Sequence, residues 1–163
     1  MSFAPFLAAS PTIQIHAIAA TLALVLGPVA IYRDRRDALH KWIGYIWVIA
    51  MLCTALSSFG IRAYAVIGPF SPIHILSCLA IWSIWVGMRY IYRGNIRAHR
   101  KTFQSLYWNG VLVAALFNFL PGRIVNRLFF NDAREIGWVV IGAGGAFLVG
   151  RILLSRQLFA RLT

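Results

Sequence analysis

Five stretches of this sequence, at about residues 12–32, 40–60, 72–92, 100–120 and 137–154, read as membrane-crossing helices. A hydrocarbon core about 30 Å thick is crossed by roughly 20 residues of helix. Inside it the backbone must satisfy its own hydrogen bonds, which a continuous apolar run of about that length does as a helix. The breaks are short and charged or turn-rich: "YRDRRD", "GIRAYAVIGPFSP", "YRGNIRAHRK" and "LPGRIVNRLFFNDAREIG". The middle of the last reads as a short interfacial helix. The expectation is an all-α fold, an integral membrane bundle of five transmembrane helices, with residues 1–163 as a single transmembrane domain.

Composition agrees with this reading: the chain is 60% hydrophobic with four acidic residues and a net charge of +12. Such a charge can signal a nucleic-acid partner. Here, however, the cations sit in small clusters beside the apolar runs, which is the pattern of a topology signal. With antiparallel spans, Arg33, Arg35, Arg36, Lys41, Arg89, Arg93, Arg97, Arg100, Lys101, Arg151, Arg156 and Arg161 fall on one side. Arg62, Arg123, Arg127 and Arg134 fall on the other, an asymmetry of twelve to four. The positive-inside rule then predicts an outward N-terminus and a cytoplasmic C-terminus. The N-terminal "MSFAPFLAASPTIQIH" lacks the basic opening of a cleavable signal peptide and is expected to stay in the mature chain. Asp34, Asp37, Asp132 and Glu135 all lie in connections, whereas proton-coupled transport usually places an acid within a span. Cys53 and Cys78 lie singly within apolar runs and read as small buried hydrophobes.

The chemistry-bearing pattern is in the histidines. His16, His40, His74 and His99 fall one to each of the first four spans, each near the N-terminal end of its span. Because successive spans run antiparallel, His16 and His74 share the outer side, and His40 and His99 the inner side. A b-type haem held by two imidazoles needs one neutral histidine from each of two helices. From His16 to Tyr32, at the opposite end of the same helix, is about 24 Å at ~1.5 Å per residue. Two such sites would therefore stack along the membrane normal. The positive end of the helix dipole favours the neutral ring that a metal needs. One turn deeper stand the small residues Ala20, Gly44 and Cys78, with Phe103 as the exception at the fourth histidine. Four histidines split between two faces are too far apart for one tetrahedral zinc site. Arg62, Arg123, Lys41 and Arg100 lie near the expected haem edges, where a cation can pair with a propionate. The alternative for each of these residues is interfacial: an amphipathic ring or a cation with its polar tip among headgroups.

Tryptophans and glycines carry packing roles in this reading. Trp42 and Trp138 suit an interfacial belt, while Trp47, Trp82, Trp85 and Trp108 lie deeper. Gly27-Pro28 predicts a kink in the first span. Gly142, Gly144, Gly145 and Gly150 make the fifth helix a close-packing or oligomer surface.

The stretches "IHAIAATLALVLGPVAIYR", "LHKWIGYIWVIAML" and "AHRKTFQSLYWNGVLVAALFNFLPGRIVN" resemble a family of predicted bacterial membrane proteins of unknown function. The plan of one histidine per helix, first with third and second with fourth, resembles that of the cytochrome b-561 family. That resemblance implies two haem b groups, His16 with His74 and His40 with His99, and transmembrane electron transfer. The implied setting is the bacterial inner membrane, with a quinol or other small reductant as donor. Further copies of the chain or a larger membrane complex are the expected protein partners, and no nucleic acid is expected. The competing expectation is a haem-free accessory subunit or assembly factor of a larger membrane complex.

Overall fold

A computed structural model describes residues 3–61, 72–130 and 133–160 of the chain. Among them every regular element is helical. The chain divides into two compact units, Ala9–Leu112 and a second formed by Met1–Ala8 with Val113–Thr163.

In the second unit α1 (Ala4–Leu7) packs against α7 (Ile124–Phe130), which also meets α8 (Ile136–Ala160). The short helix expected between the last two spans is α7. Asn126, fully buried on it, donates from Nδ2 to the carbonyls of Phe119 at 2.8 Å and Arg134 at 2.9 Å. One amide thereby ties together the chain on both sides of the short helix. Only glycine fits at position 137, where a Cβ would fall 1.9 Å from the Phe119 carbonyl oxygen. On α8 the glycines divide: Gly144 seats Leu116, while a Cβ at Gly142, Gly145 or Gly150 would meet nothing within 4 Å.

The unit Ala9–Leu112 holds the histidines. Its first helix, α2 (Pro11–Tyr32), starts with proline in the first turn, where the missing N–H has no intrahelical role. It buries Ala19, Ala23, Gly27 and Ala30, a stripe of small residues at helical spacing. The next helix, α3 (Ala38–Ser58), opens on the Asp37 cap, whose carboxylate accepts the His40 backbone N–H at 2.9 Å. It buries Trp47, Ala50, Met51, Ala55 and Ser58 on one face. Then α4 (Pro72–Tyr92) buries His74, Ser77, Ala80, Ile84 and Gly87. Gly94, at φ +74°, turns the chain into α5 (Ile96–Ser105), capped by Asn95 on the Ala98 N–H. A π-helical turn, Leu106–Val111, follows, and then α6 (Leu112–Phe117).

Many large apolar side chains lie on the surface of the bundle. Alanines, serines and His74 share the interior with a few large side chains such as Trp47 and Phe103, while Trp42, Ile49, Leu56, Ile75, Leu79 and Trp82 are exposed. In hydrocarbon that arrangement is stable: large side chains meet lipid tails, and small ones let the helices approach closely. Pro11–Tyr32, Ala38–Ser58, His74–Tyr92 and Ile136–Leu154 are long and apolar enough to cross a membrane. They cover four of the five expected spans. The expected span at 100–120 is helical as far as Phe117, but it is divided by the π turn and begins inside the polar helix α5, "IRAHRKTFQS", which starts at Ile96.

Pro28 lies inside α2, which runs as one helix from Pro11 to Tyr32. Pro28 has no N–H, so the Leu24 carbonyl one turn earlier lacks its helical donor. The Tyr107 hydroxyl donates to that oxygen at 3.0 Å. Gly27 makes room for the same ring: a Cβ there would lie 2.2 Å from Tyr107 Cε2. Trp47 adds an indole N–H to the Ala23 carbonyl at 2.8 Å. Two aromatic donors from α3 and the π turn thus supply polar contacts to α2 carbonyls beside the proline.

Candidate functional site

His16 and His74 are both tied to the last turns of α3. His16 Nδ1 lies 3.0 Å from the Thr54 carbonyl and 3.1 Å from the Ser57 hydroxyl. A carbonyl only accepts, so Nδ1 carries the hydrogen, and in the neutral ring Nε2 keeps the lone pair. His74, 5% exposed, places Nε2 at 3.2 Å from the Ser58 carbonyl and stacks at a tilt on Phe59 with ring centroids 5.3 Å apart. The same logic puts its hydrogen on Nε2 and the lone pair on Nδ1, the nitrogen beside its own Cβ. Around them Ser58 donates to the Ala55 carbonyl and meets the Ser77 hydroxyl at 2.6 Å. This is a hydroxyl-rich end, stitched across α2, α3 and α4.

The opposite end holds His40 and His99. His99 Nδ1 is 2.9 Å from the Gly87 carbonyl of α4, which again fixes the hydrogen on Nδ1 and the lone pair on Nε2. Phe103 meets the ring edge-on at 4.8 Å and fills the space over Gly87, where a Cβ would lie 2.7 Å from Phe103 Cε2. His40 is half-buried, and its Nδ1 is buried without a hydrogen-bond partner among the described residues. Of the small residues expected beside the histidines, Gly44 opens onto space, with nothing within 4 Å of a Cβ. Ala20 is half-buried, and Cys78 is exposed although His74 is buried, so its small side chain leaves no interior room beside that ring.

Two ion pairs form the rim at this basic end. Arg100 holds Asp34 at 2.8 Å, and Arg33 holds Asp37. The Arg33 guanidinium, aided by the His40 backbone N–H, keeps the Asp37 carboxyl well below the usual carboxylate range. Of the four cations expected at haem edges, Arg100 is thus engaged by a carboxylate and Lys41 is exposed. Arg123 is half-buried in the second compact unit, and Arg62 lies outside the described residues. Among the described residues no cluster of three or more His, Cys, Asp and Glu side chains forms.

Sequence reasoning assigned Trp47 and Trp108 to packing and did not single out Tyr107 or Asn126. The Trp108 indole donates to the Tyr32 hydroxyl at 2.5 Å, and Tyr107 closes the proline gap. The available signal was Pro28 itself, since an orphaned carbonyl in hydrocarbon demands a donor from a neighbouring helix. Which helix supplies it depends on packing.

A family model described as a predicted membrane protein, DUF2306, matches residues 13–157. No curated protein matches the chain, and no solved structure matches it. The family match runs through all four histidines, the proline-containing α2 and the glycine-rich last helix. The chain belongs to the DUF2306 family of predicted membrane proteins.

Proposed function

We propose that this membrane protein is a transmembrane electron carrier of the b-cytochrome type, its best-founded haem site formed by His40 and His99. The observation that carries the reading is the state of those two rings. His99 donates from Nδ1 to a backbone carbonyl, the outer contact that orients a metal-ligating imidazole and leaves Nε2 as the ligand atom. The His40 ring makes no hydrogen bond among the described residues, its Nδ1 being buried without a partner, so its Nε2 is not committed to another group and would be the ligand atom. A b-type haem would supply one-electron redox chemistry at this place. Gly87 holds the His99 ring by its carbonyl, Phe103 shields one ring edge, and the Asp37 cap fixes the start of α3 that carries His40.

His16 and His74 form the second proposed site. His16 has the favourable arrangement, with Nδ1 bound to Thr54 and Nε2 as the ligand nitrogen. His74 fits less well, because it donates from Nε2. In this reading five spans cross the bacterial inner membrane, with the N-terminus outside and the C-terminus in the cytoplasm. Electrons pass between a quinol or other small reductant and an acceptor on the opposite face. The twelve-to-four distribution of cations supports the orientation.

A second reading has its own observation. Three of the four rings already close hydrogen bonds between helices: His16 and His74 to α3, His99 to α4. Polar side chains used in this way hold membrane helices together without a cofactor, as suits an accessory subunit of a larger complex. The deciding experiment is a reduced-minus-oxidised spectrum of the full chain, purified after expression with ample haem. Low-spin b-type bands that lose the same component in His40→Ala and His99→Ala support the cytochrome. A colourless preparation overturns it in favour of the haem-free subunit.

A further inference from the structure

Near the C-terminal end of α4, Trp85, Arg89 and Arg93 follow one another at intervals of four residues and so form a single stripe along the helix. Arg89 and Trp85 are exposed, and the Arg89 guanidinium lies over the Trp85 ring, 5.2 Å from its centroid. Trp85 in turn packs on Trp82, with ring centroids 5.0 Å apart. Arg93 is exposed, and its backbone N–H bonds the Arg89 carbonyl at 3.1 Å, which keeps the two arginines on successive turns. Grooves of about 300 Å³ and 280 Å³ share Trp85, Arg89 and Arg93. Tyr92 lines one and Tyr90 the other.

Like charges one turn apart on a helix repel, and among the described residues no carboxylate offsets these two. Asp34 is held by Arg100 and Asp37 by Arg33, at other places on the same unit. The stripe therefore runs from an exposed double-indole platform on a membrane-spanning helix to an uncompensated pair of cations at its end. A phospholipid has that same profile, with apolar chains leading to a charged phosphodiester. A soluble anion has no use for the indoles.

We propose that the Arg89–Arg93 stripe of α4 is a binding site for an anionic phospholipid, its phosphodiester held by the two guanidiniums and its glycerol and upper chains against Trp85 and Trp82. Guanidinium groups offer paired donors suited to a phosphate. The site is independent of the histidines and of any haem.

The test is native mass spectrometry of the full chain in detergent micelles, titrated with phosphatidylglycerol and with phosphatidylcholine of matched acyl chains. The wild type is expected to retain phosphatidylglycerol preferentially, and the R89Q/R93Q double variant to lose that preference by roughly thirtyfold. R35Q/R97Q, which removes the same charge from two other exposed positions, should keep it, and R89K/R93K should keep most of it. No preference in the wild type overturns the proposal. So does an equal loss in R35Q/R97Q, which would reduce the effect to net charge. Displacement of phosphatidylglycerol by millimolar inorganic phosphate would mark a free-phosphate site and overturn it as well.

Discussion

The two ends of the Ala9–Leu112 unit treat their histidines differently. At the hydroxyl-rich end His16 and His74 meet Thr54, Ser57 and Ser58 of one helix, and Ser58 meets Ser77. At the basic end His99 has its carbonyl, but His40 has a buried nitrogen with no partner among the described residues. The hydrogen-bonding demand that is met at one end is left open at the other. Buried polar groups are satisfied by default, so the open one is where a ligand is to be sought.

The largest expected effect tests that contrast directly. His74→Leu removes a buried donor and leaves the Ser58 carbonyl short of a partner, which should cost about 2 kcal/mol in a mixed-micelle unfolding measurement. His40→Leu, made in haem-free protein, should cost nothing or stabilise slightly, because it removes a nitrogen that bonds nothing. Equal losses for the two variants would break the comparison.

Next in size are changes at single hydroxyls. Tyr107→Phe strands the Leu24 carbonyl that Pro28 leaves open, and about 1 kcal/mol should be lost in the same assay. The packing of the ring on Gly27 should survive, so the near-ultraviolet dichroism should change little. Ser58→Ala, at the hydroxyl-rich end, should cost a comparable or smaller amount, roughly 0.6 kcal/mol. A Ser58→Ala loss far above that of Tyr107→Phe would mean that the hydroxyl end is a cooperative network.

The smallest effect is one of pH at the basic end. The folded-state pKa of Asp37 is depressed by Arg33 and by the His40 N–H. A depressed carboxylate stabilises the fold above its unfolded value of about 3.9 and loses that contribution as pH falls below it. The melting temperature should therefore decline on acidification from about pH 4 downward. Asp37→Asn keeps a capping side chain but removes the charge, and should flatten that part of the profile. An unchanged acid slope in the variant would show that another carboxylate is responsible.

Sequence alone determined the elements that physics in hydrocarbon leaves little choice about. The apolar lengths of 12–32, 40–60 and 72–92 became α2, α3 and α4 within two residues of their expected ends, since a span is set by bilayer thickness and by the charges that stop it. The short helix expected between the last two spans formed as α7, because an amphipathic stretch between two spans has an apolar face to bury. The stretch at 100–120 was less legible, because a π turn changes the register by one residue without any change in hydrophobicity. Tertiary structure alone decided that Tyr107 meets the Leu24 carbonyl, that His74 donates through Nε2, and that His40 is left with a bare nitrogen. Those outcomes depend on which faces of which helices meet and how each ring is turned. Spacing along one helix says which residues share a face, but only packing between helices says what that face touches.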